Sequence, residues 1–213
     1  MKNISKILLI FIVVFCNAQD DDEFFNENFG VFTEKIDSSL WEKIKYVRFS
    51  ESEGAIFPSK FTKTLIGQNK KAFDPDTATV KLAESELVKQ YCTAHRNFNE
   101  KIKSNTLRNL YLSSDFKSIR DYKKQIQNEK RILKKYCTKW QNDVLQSDKQ
   151  IIGYVNEKGE KLLWIKIVDF REDPYNLKPQ FYTSWIDGSH GWFETNLEHM
   201  IFHLKDNRIT VNP

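Results

Sequence analysis

The spacing of apolar residues changes once along this chain, near Gln150, from a period of about 3.6 to a period of two. That switch limits the chain to helices followed by strands. Upstream, Asp74-Pro75 supplies an N-cap and a first helical residue. Val80, Ala83, Leu87, Tyr91, Ala94, Phe98 and Ile102 then recur on one face, and Asn105 marks the expected end. A second helix is predicted from Ser118, with Asp121 three residues on in a capping-box-like arrangement. Its stripe is Ile119, Tyr122, Ile126, Leu133, Tyr136 and Trp140, and Lys123, Lys124, Lys130, Arg131, Lys134, Lys135 and Lys139 occupy the other face.

Downstream, Ile151–Val155 and Glu160–Asp169 flank Asn156-Glu157-Lys158-Gly159, a hairpin with Gly where positive φ is wanted. Leu163, Ile165 and Ile167 point one way and Leu162, Trp164 and Val168 the other, so this strand is expected to be covered on both faces. Phe181–Ile186 reads as a third strand and Asp187-Gly188 as its turn. The chain returns from Trp192, turns at Asp206-Asn207, and ends its sheet at Arg208–Val211. Residues 41–73 are less regular: Lys45–Phe49 alternates, but Gly54, Pro58 and Gly67 interrupt the stretch after it. The expected class is α+β, two main helices followed by an antiparallel sheet of about four to five strands.

The N-terminus carries a different signal. Lys2 and Lys6 precede the apolar run Ile7–Phe15, and Cys16-Asn17-Ala18 offers small residues for cleavage before Gln19. Residues 1–18 therefore read as a secretory signal peptide, with a run too short for a membrane span. Export to the periplasm or beyond the cell is expected. Membrane anchoring would come only from lipidation at Cys16, which is preceded by the bulky Phe15. Residues 19–40 are acidic and Asn-rich, with Phe24, Phe25, Phe29 and Phe32, and read as a flexible or loosely docked arm; residues 41–213 form one domain. Removing Lys2 and Lys6 lowers the net charge from +4 to about +2, too little to argue for a nucleic-acid partner. Beyond position 18 two cysteines remain, Cys92 and Cys137, each in a Tyr-Cys-Thr tripeptide on the apolar edge of its helix. An oxidising compartment favours a disulfide between them.

Phe73-Asp74-Pro75 with Leu82-Ala83-Glu84, then Gln150–Lys161, then Asp187-Gly188 with Phe193, and the closing Val211-Asn212 together resemble a group of exported flavobacterial-type proteins. The resemblance spans roughly residues 73–212 and departs from the group's pattern at Ser189 and Pro213, where glycine is usual. It implies export and a shared fold, and implies no activity.

No motif demands a cofactor, and none is expected. His199 and His203 are the nearest to a metal pair, with His190, Asp187 and Glu194 close in sequence. On a strand, however, residues four apart lie about 13 Å from one another, too far to share an ion. Cys92 and His95 have a nucleophile–base spacing on a helix, but a disulfide would consume the thiol. The acids Asp169, Glu172 and Asp173, and Glu157 with Glu160, fall where turns commonly place solvated caps. The basic face of the second helix reads as a solvated surface. The aromatic sheet region leaves Trp185 and Trp192, with Asp187 and His190, as ligand-binding candidates. The expected function is a non-enzymatic binding or accessory domain for an unknown ligand or protein. The alternative is a small exported hydrolase using acids or histidines of residues 187–203.

Overall fold

Alternation from Asp148 onward builds the centre of the molecule. In the computed structural model, which describes residues 32–35, 37–66, 71–112, 116–188 and 192–212, β5 (Asp148–Val155) and β6 (Lys161–Val168) pair antiparallel along their whole length. Gly159 takes φ +78° in their turn, and the Asn156 side-chain oxygen accepts the backbone N–H groups of Lys158 and Glu160. The predicted hairpin and its glycine are therefore as expected. β8 (Leu197–His203) pairs with β6, and β9 (Arg208–Val211) with β8. Asn207, at φ 52°, turns between them.

The sheet is larger than expected. It has seven strands rather than four to five, because the irregular stretch before the helices contributes three: β2 (Lys45–Arg48), β3 (Glu53–Ile56) and β4 (Lys71–Phe73). It is also mixed rather than purely antiparallel. β3 runs parallel to the first half of β5, while β4 pairs antiparallel with the second half of the same edge. Strands of three or four residues carry too little alternation to read from sequence, and here the long edge of β5 templates β3 and β4, with β2 added through β3. Gly153 admits β4: a Cβ there would lie 2.7 Å from the carbonyl oxygen of Phe73.

Both long helices are present and longer than predicted. After the short helix α1 (Ser59–Ile66), α2 runs Thr77–Leu112 and α3 runs Phe116–Gln146. Asp76, not Asp74, caps α2, accepting the Thr79 N–H at 2.7 Å. Asp74 instead accepts the Ser59 N–H at the start of α1. The two long helices lie antiparallel, joined by the Cys92–Cys137 disulfide with Cα atoms 5.8 Å apart. Val80, Ala83, Leu87 and Ala94 of α2 and Val144 of α3 pack on Ile151, Leu163, Ile165, Ile167, Met200 and Phe202 of the sheet. Ile102, expected on the buried stripe, is exposed, because α2 has passed beyond the sheet by then.

The opposite face of the sheet is covered by α1, two 3₁₀ turns (Ser38–Lys43 and Lys178–Gln180) and a separate two-stranded sheet. That small sheet pairs β1 (Phe32–Lys35) with β7 (Ser184–Asp187). The third strand expected over Phe181–Ile186 is thus shorter, later and not part of the main sheet. The return from Trp192 is first a helix, α4 (Trp192–Asn196), before β8 begins. Of the N-terminal expectations, residues 1–18 with Cys16 and residues 19–31 of the arm lie outside the described residues, whereas Phe32–Lys35 is docked as β1. Among the described residues no helix is long and apolar enough to cross a membrane.

Four polar side chains are buried in the central strands: Asp148, which accepts the Glu53 N–H at 2.9 Å, Lys149, Gln150 and Lys166. Gln150 and Lys166, opposite one another on β5 and β6, reach the 181–186 segment. Gln150 Nε2 donates to the Phe181 and Ser184 carbonyls at 2.8 and 2.7 Å, its Oε1 accepts the Ile186 N–H at 2.8 Å, and Lys166 Nζ donates to the Ile186 carbonyl. On the helix side Lys149 Nζ donates to Val144 O at 2.7 Å and Ser52 Oγ at 2.9 Å, with Glu84 3.7 Å away. Burial pushes the Lys149 ammonium down to about 8, against the pull of Glu84 and Asp148.

Replacing Cys92 and Cys137 by alanine opens a loop of 45 residues' separation and lowers stability by about 4 kcal/mol on the chain-entropy account, read from urea midpoints at constant slope. The Lys149 effect has the same sign as that of a salt-bridged acid, stability rising with pH, but it falls in an alkaline window. The unfolded chain holds the Lys149 proton more tightly than the folded one, so stability rises as pH climbs from about 8 toward 10.5, recovering up to roughly 3 kcal/mol. Urea unfolding at intervals between pH 7.5 and about 9.5 should show that rise in the parent and a flat profile in Lys149→Met; parallel profiles would refute it.

Candidate functional site

Where the C-terminal turn of α3 meets the end of β6 and the start of β8, the surface opens into a cleft of about 340 Å³. Each wall has a local reason. Tyr91 and His95 are four apart on α2 and so share a face, their rings 4.5 Å apart. Trp140 and Asp143 present the same edge of α3 one turn apart. Asp169 leaves β6 with its N–H bound to Asn196 O, and Arg171 comes next in the turn. Glu198 takes an inward position on β8, in the row that continues with Met200 and Phe202.

The charged groups are matched in two sets. Glu198 Oε2 accepts the Tyr91 hydroxyl at 2.6 Å, and its Oε1 lies 2.6 Å from His95 Nε2, in contact but out of line for a hydrogen bond. Burial, and then the Glu198 charge, drives the Tyr91 phenol far above its ordinary value, so Tyr91 is a fixed donor and not a base. Arg171 bridges two acids: Nε donates to Asp169 Oδ2 at 2.8 Å, and an Nη lies 2.8 Å from Asp143 Oδ1. The Asp169 hydrogen bonds lift the guanidinium above its usual range. Burial raises the Asp169 carboxyl, but Arg171 and its backbone N–H outweigh this and hold it below the ordinary carboxylate value.

The residues singled out from sequence do not gather here. Trp185 is 1% exposed, its indole enclosed by Phe57, Trp164 and the Lys166 ammonium, so it is core and closed to a ligand in this conformation. Trp192 donates its Nε1–H to Glu172 O at 2.6 Å and packs against Phe170, Tyr175 and Phe193. Asp187 ends β7 opposite Phe32, and His190 lies outside the described residues. His199 sits beside Trp164, whereas His203 contacts Thr210 Oγ1 at 3.0 Å and Arg208. Burial, then Arg208, pushes the His203 imidazole down. The two histidines share a strand face but have different neighbours, and among the described residues no group of three His, Cys, Asp or Glu side chains could hold a metal. Cys92 is bonded, which removes it as a nucleophile. Asp173 accepts the Leu177 and Lys178 N–H groups, the capping role its turn suggested.

Sequence reasoning weighed Tyr91 and Trp140 only as stripe residues, His95 only beside Cys92, and Asp169 only as a turn acid. It passed over Asp143, Arg171 and Glu198. One signal was available: Glu198 is a carboxylate at an inward position of an otherwise apolar row. Comparison with protein-family models, with curated proteins and with solved structures finds no match for this chain.

Removal of the guanidinium should be visible at one carboxyl. In Arg171→Met, Asp169 loses its stabilising partner while remaining partly buried, so its titration moves upward, read by carbon-detected NMR of the side chain. The acid limb of the stability profile moves with it. Asp169 contributes stability above its unfolded value near 3.8, lost as pH falls through the lower folded value, and the variant loses that contribution.

Proposed function

We propose that this chain is an exported, non-enzymatic binding domain, and that the α2–α3–β8 cleft receives a small polar ligand. The observation that carries this reading is the cleft itself. It has the size of a small-molecule pocket, and its donors and acceptors are oriented in advance by mutual pairing. Trp140 and Tyr91 add aromatic surface beside those polar groups. Export is supported by the N-terminal pattern, by a disulfide suited to an oxidising compartment, and by the resemblance to exported flavobacterial-type proteins.

A second reading, a small hydrolase, is favoured by one specific feature: Glu198, inside the 187–203 region, is flanked by an imidazole and a phenol. In that reading Glu198 or His95 would move a proton and Tyr91 would donate a hydrogen bond. One experiment separates the two. Nitrogen-labelled protein is titrated with a mixture of sugars, amino acids and small carboxylates while product formation is monitored. Binding is expected to shift the amides of Tyr91, Asn196 and Glu198 without turnover, and Glu198→Gln or Arg171→Met should weaken it about tenfold, the loss of one charge-assisted hydrogen bond. Turnover abolished by Glu198→Gln and His95→Asn would establish the hydrolase instead. Shifts confined to other surfaces would reject the cleft.

A further inference from the structure

Net charge is divided sharply between two parts of the molecule. Residues 93–140, from just after Cys92 in α2 to the turn of α3 that follows Cys137, with the connection between them, hold thirteen Lys and Arg against four Asp and Glu. That is +9 in a chain whose total is +4, so the remainder carries −5. The helical hairpin reaches roughly 20 residues past Cys92, about 30 Å at 1.5 Å per residue. Among its described residues, Ala94 alone joins the buried core between helices and sheet. Between the two helices Ile119 and Leu133 are buried, and Lys103 bonds Glu129 across the pair at 2.5 Å. Glu100 is engaged by Lys130. Two of the four acids are thereby committed within the hairpin.

The positive charge is ordered on α3. Arg120, Lys124, Arg131 and Lys135 are spaced four, seven and four apart, so they form one exposed stripe, and Lys139 continues its edge. Ile132 and Tyr136, four apart and both more than one-third exposed, border that stripe. The Lys135 ammonium sits over the Tyr136 ring at 5.0 Å. A solvated face would need the basic residues only. The apolar edge, with an interfacial tyrosine and long snorkelling side chains, is the composition of a helix that lies on a membrane surface.

We propose that the projecting α2–α3 hairpin docks this protein on an anionic membrane surface, the basic stripe meeting lipid phosphates and Ile132 and Tyr136 entering the headgroup boundary. Charge complementarity supplies the attraction, and the apolar edge selects a bilayer over a soluble polyanion. This surface is separate from the cleft and does not depend on its ligand.

The test uses the full chain in sedimentation with phosphatidylcholine vesicles, with and without about one-third phosphatidylglycerol. Every variant keeps Ile7–Phe15, so differences report the hairpin. The parent is expected to bind only the anionic vesicles and to release as salt rises from about 0.05 to 0.5 M. The charge reversal Arg120→Glu, Lys124→Glu, Arg131→Glu, Lys135→Glu should lower partitioning at least about a hundredfold. The milder pair Ile132→Ser and Tyr136→Ser, which leaves the charge and the disulfide intact, should lower it several-fold. Equal binding to both vesicle types, no binding, capture of polyphosphate or DNA without vesicle binding, or indifference to the Ile132/Tyr136 pair would each overturn the proposal.

Discussion

Gln150 and Lys166 hold the non-helical half of this protein to its sheet. They face each other across the β5–β6 hairpin, fully buried, and satisfy the backbone of a segment that makes no ladder with the main sheet. Phe181, Ser184 and Ile186 would otherwise bury carbonyls and an N–H without partners, at about 1–3 kcal/mol each. Because those bonds are made, Trp185 can be packed against Phe57 and Trp164, β7 can present its other edge to β1, and the chain can return through α4 into β8. An apolar pair at these two positions would fill the space but leave the segment unsatisfied. The two polar residues select one placement of it.

The helix side of the same strands uses a different device. Packing there is apolar and continuous, and the buried Lys149 ammonium ties the C-terminal turn of α3 and the β2–β3 turn to β5 through Val144 O and Ser52 Oγ. The disulfide then fixes α2 against α3 at the point where they leave the sheet. Beyond it, the described residues of this helical pair contact the main core through Ala94 and one another through contacts such as Lys103 with Glu129. The cleft lies at the inner end of that pair, between the anchored and the projecting parts.

Legibility tracked the length of each pattern. The β5–β6 hairpin, with eight residues per strand and the Asn-x-x-Gly turn, was readable because local chemistry and tertiary role agree. Both long helices were readable, but their ends were not. Asn105 is tolerated inside α2, and Asp76 outcompetes Asp74 as the cap because α1 takes Asp74. The cleft was mostly unreadable. Its residues come from positions 91, 95, 143, 169, 171 and 198, and only the crossing of α2, α3 and β8 brings them together. Trp185 misled because a large aromatic near polar residues has the same sequence signature whether it faces a ligand or a buried lysine.

Sequence alone determined the helix-then-hairpin order, the cysteine pair and the alternation of the central strands, since each is a local pattern with a period or a turn residue of its own. Tertiary structure decided the rest. Short strands β3 and β4 exist because the edge of β5 offers them unpaired N–H and C=O groups, and β2 adds in turn to the free edge of β3. The 181–186 segment is placed by side chains far from it in sequence, 31 residues from Gln150 to Phe181 and 20 from Lys166 to Ile186, rather than by its own propensity. Pairings of that kind have no sequence period, because the partners are chosen by proximity in the folded chain.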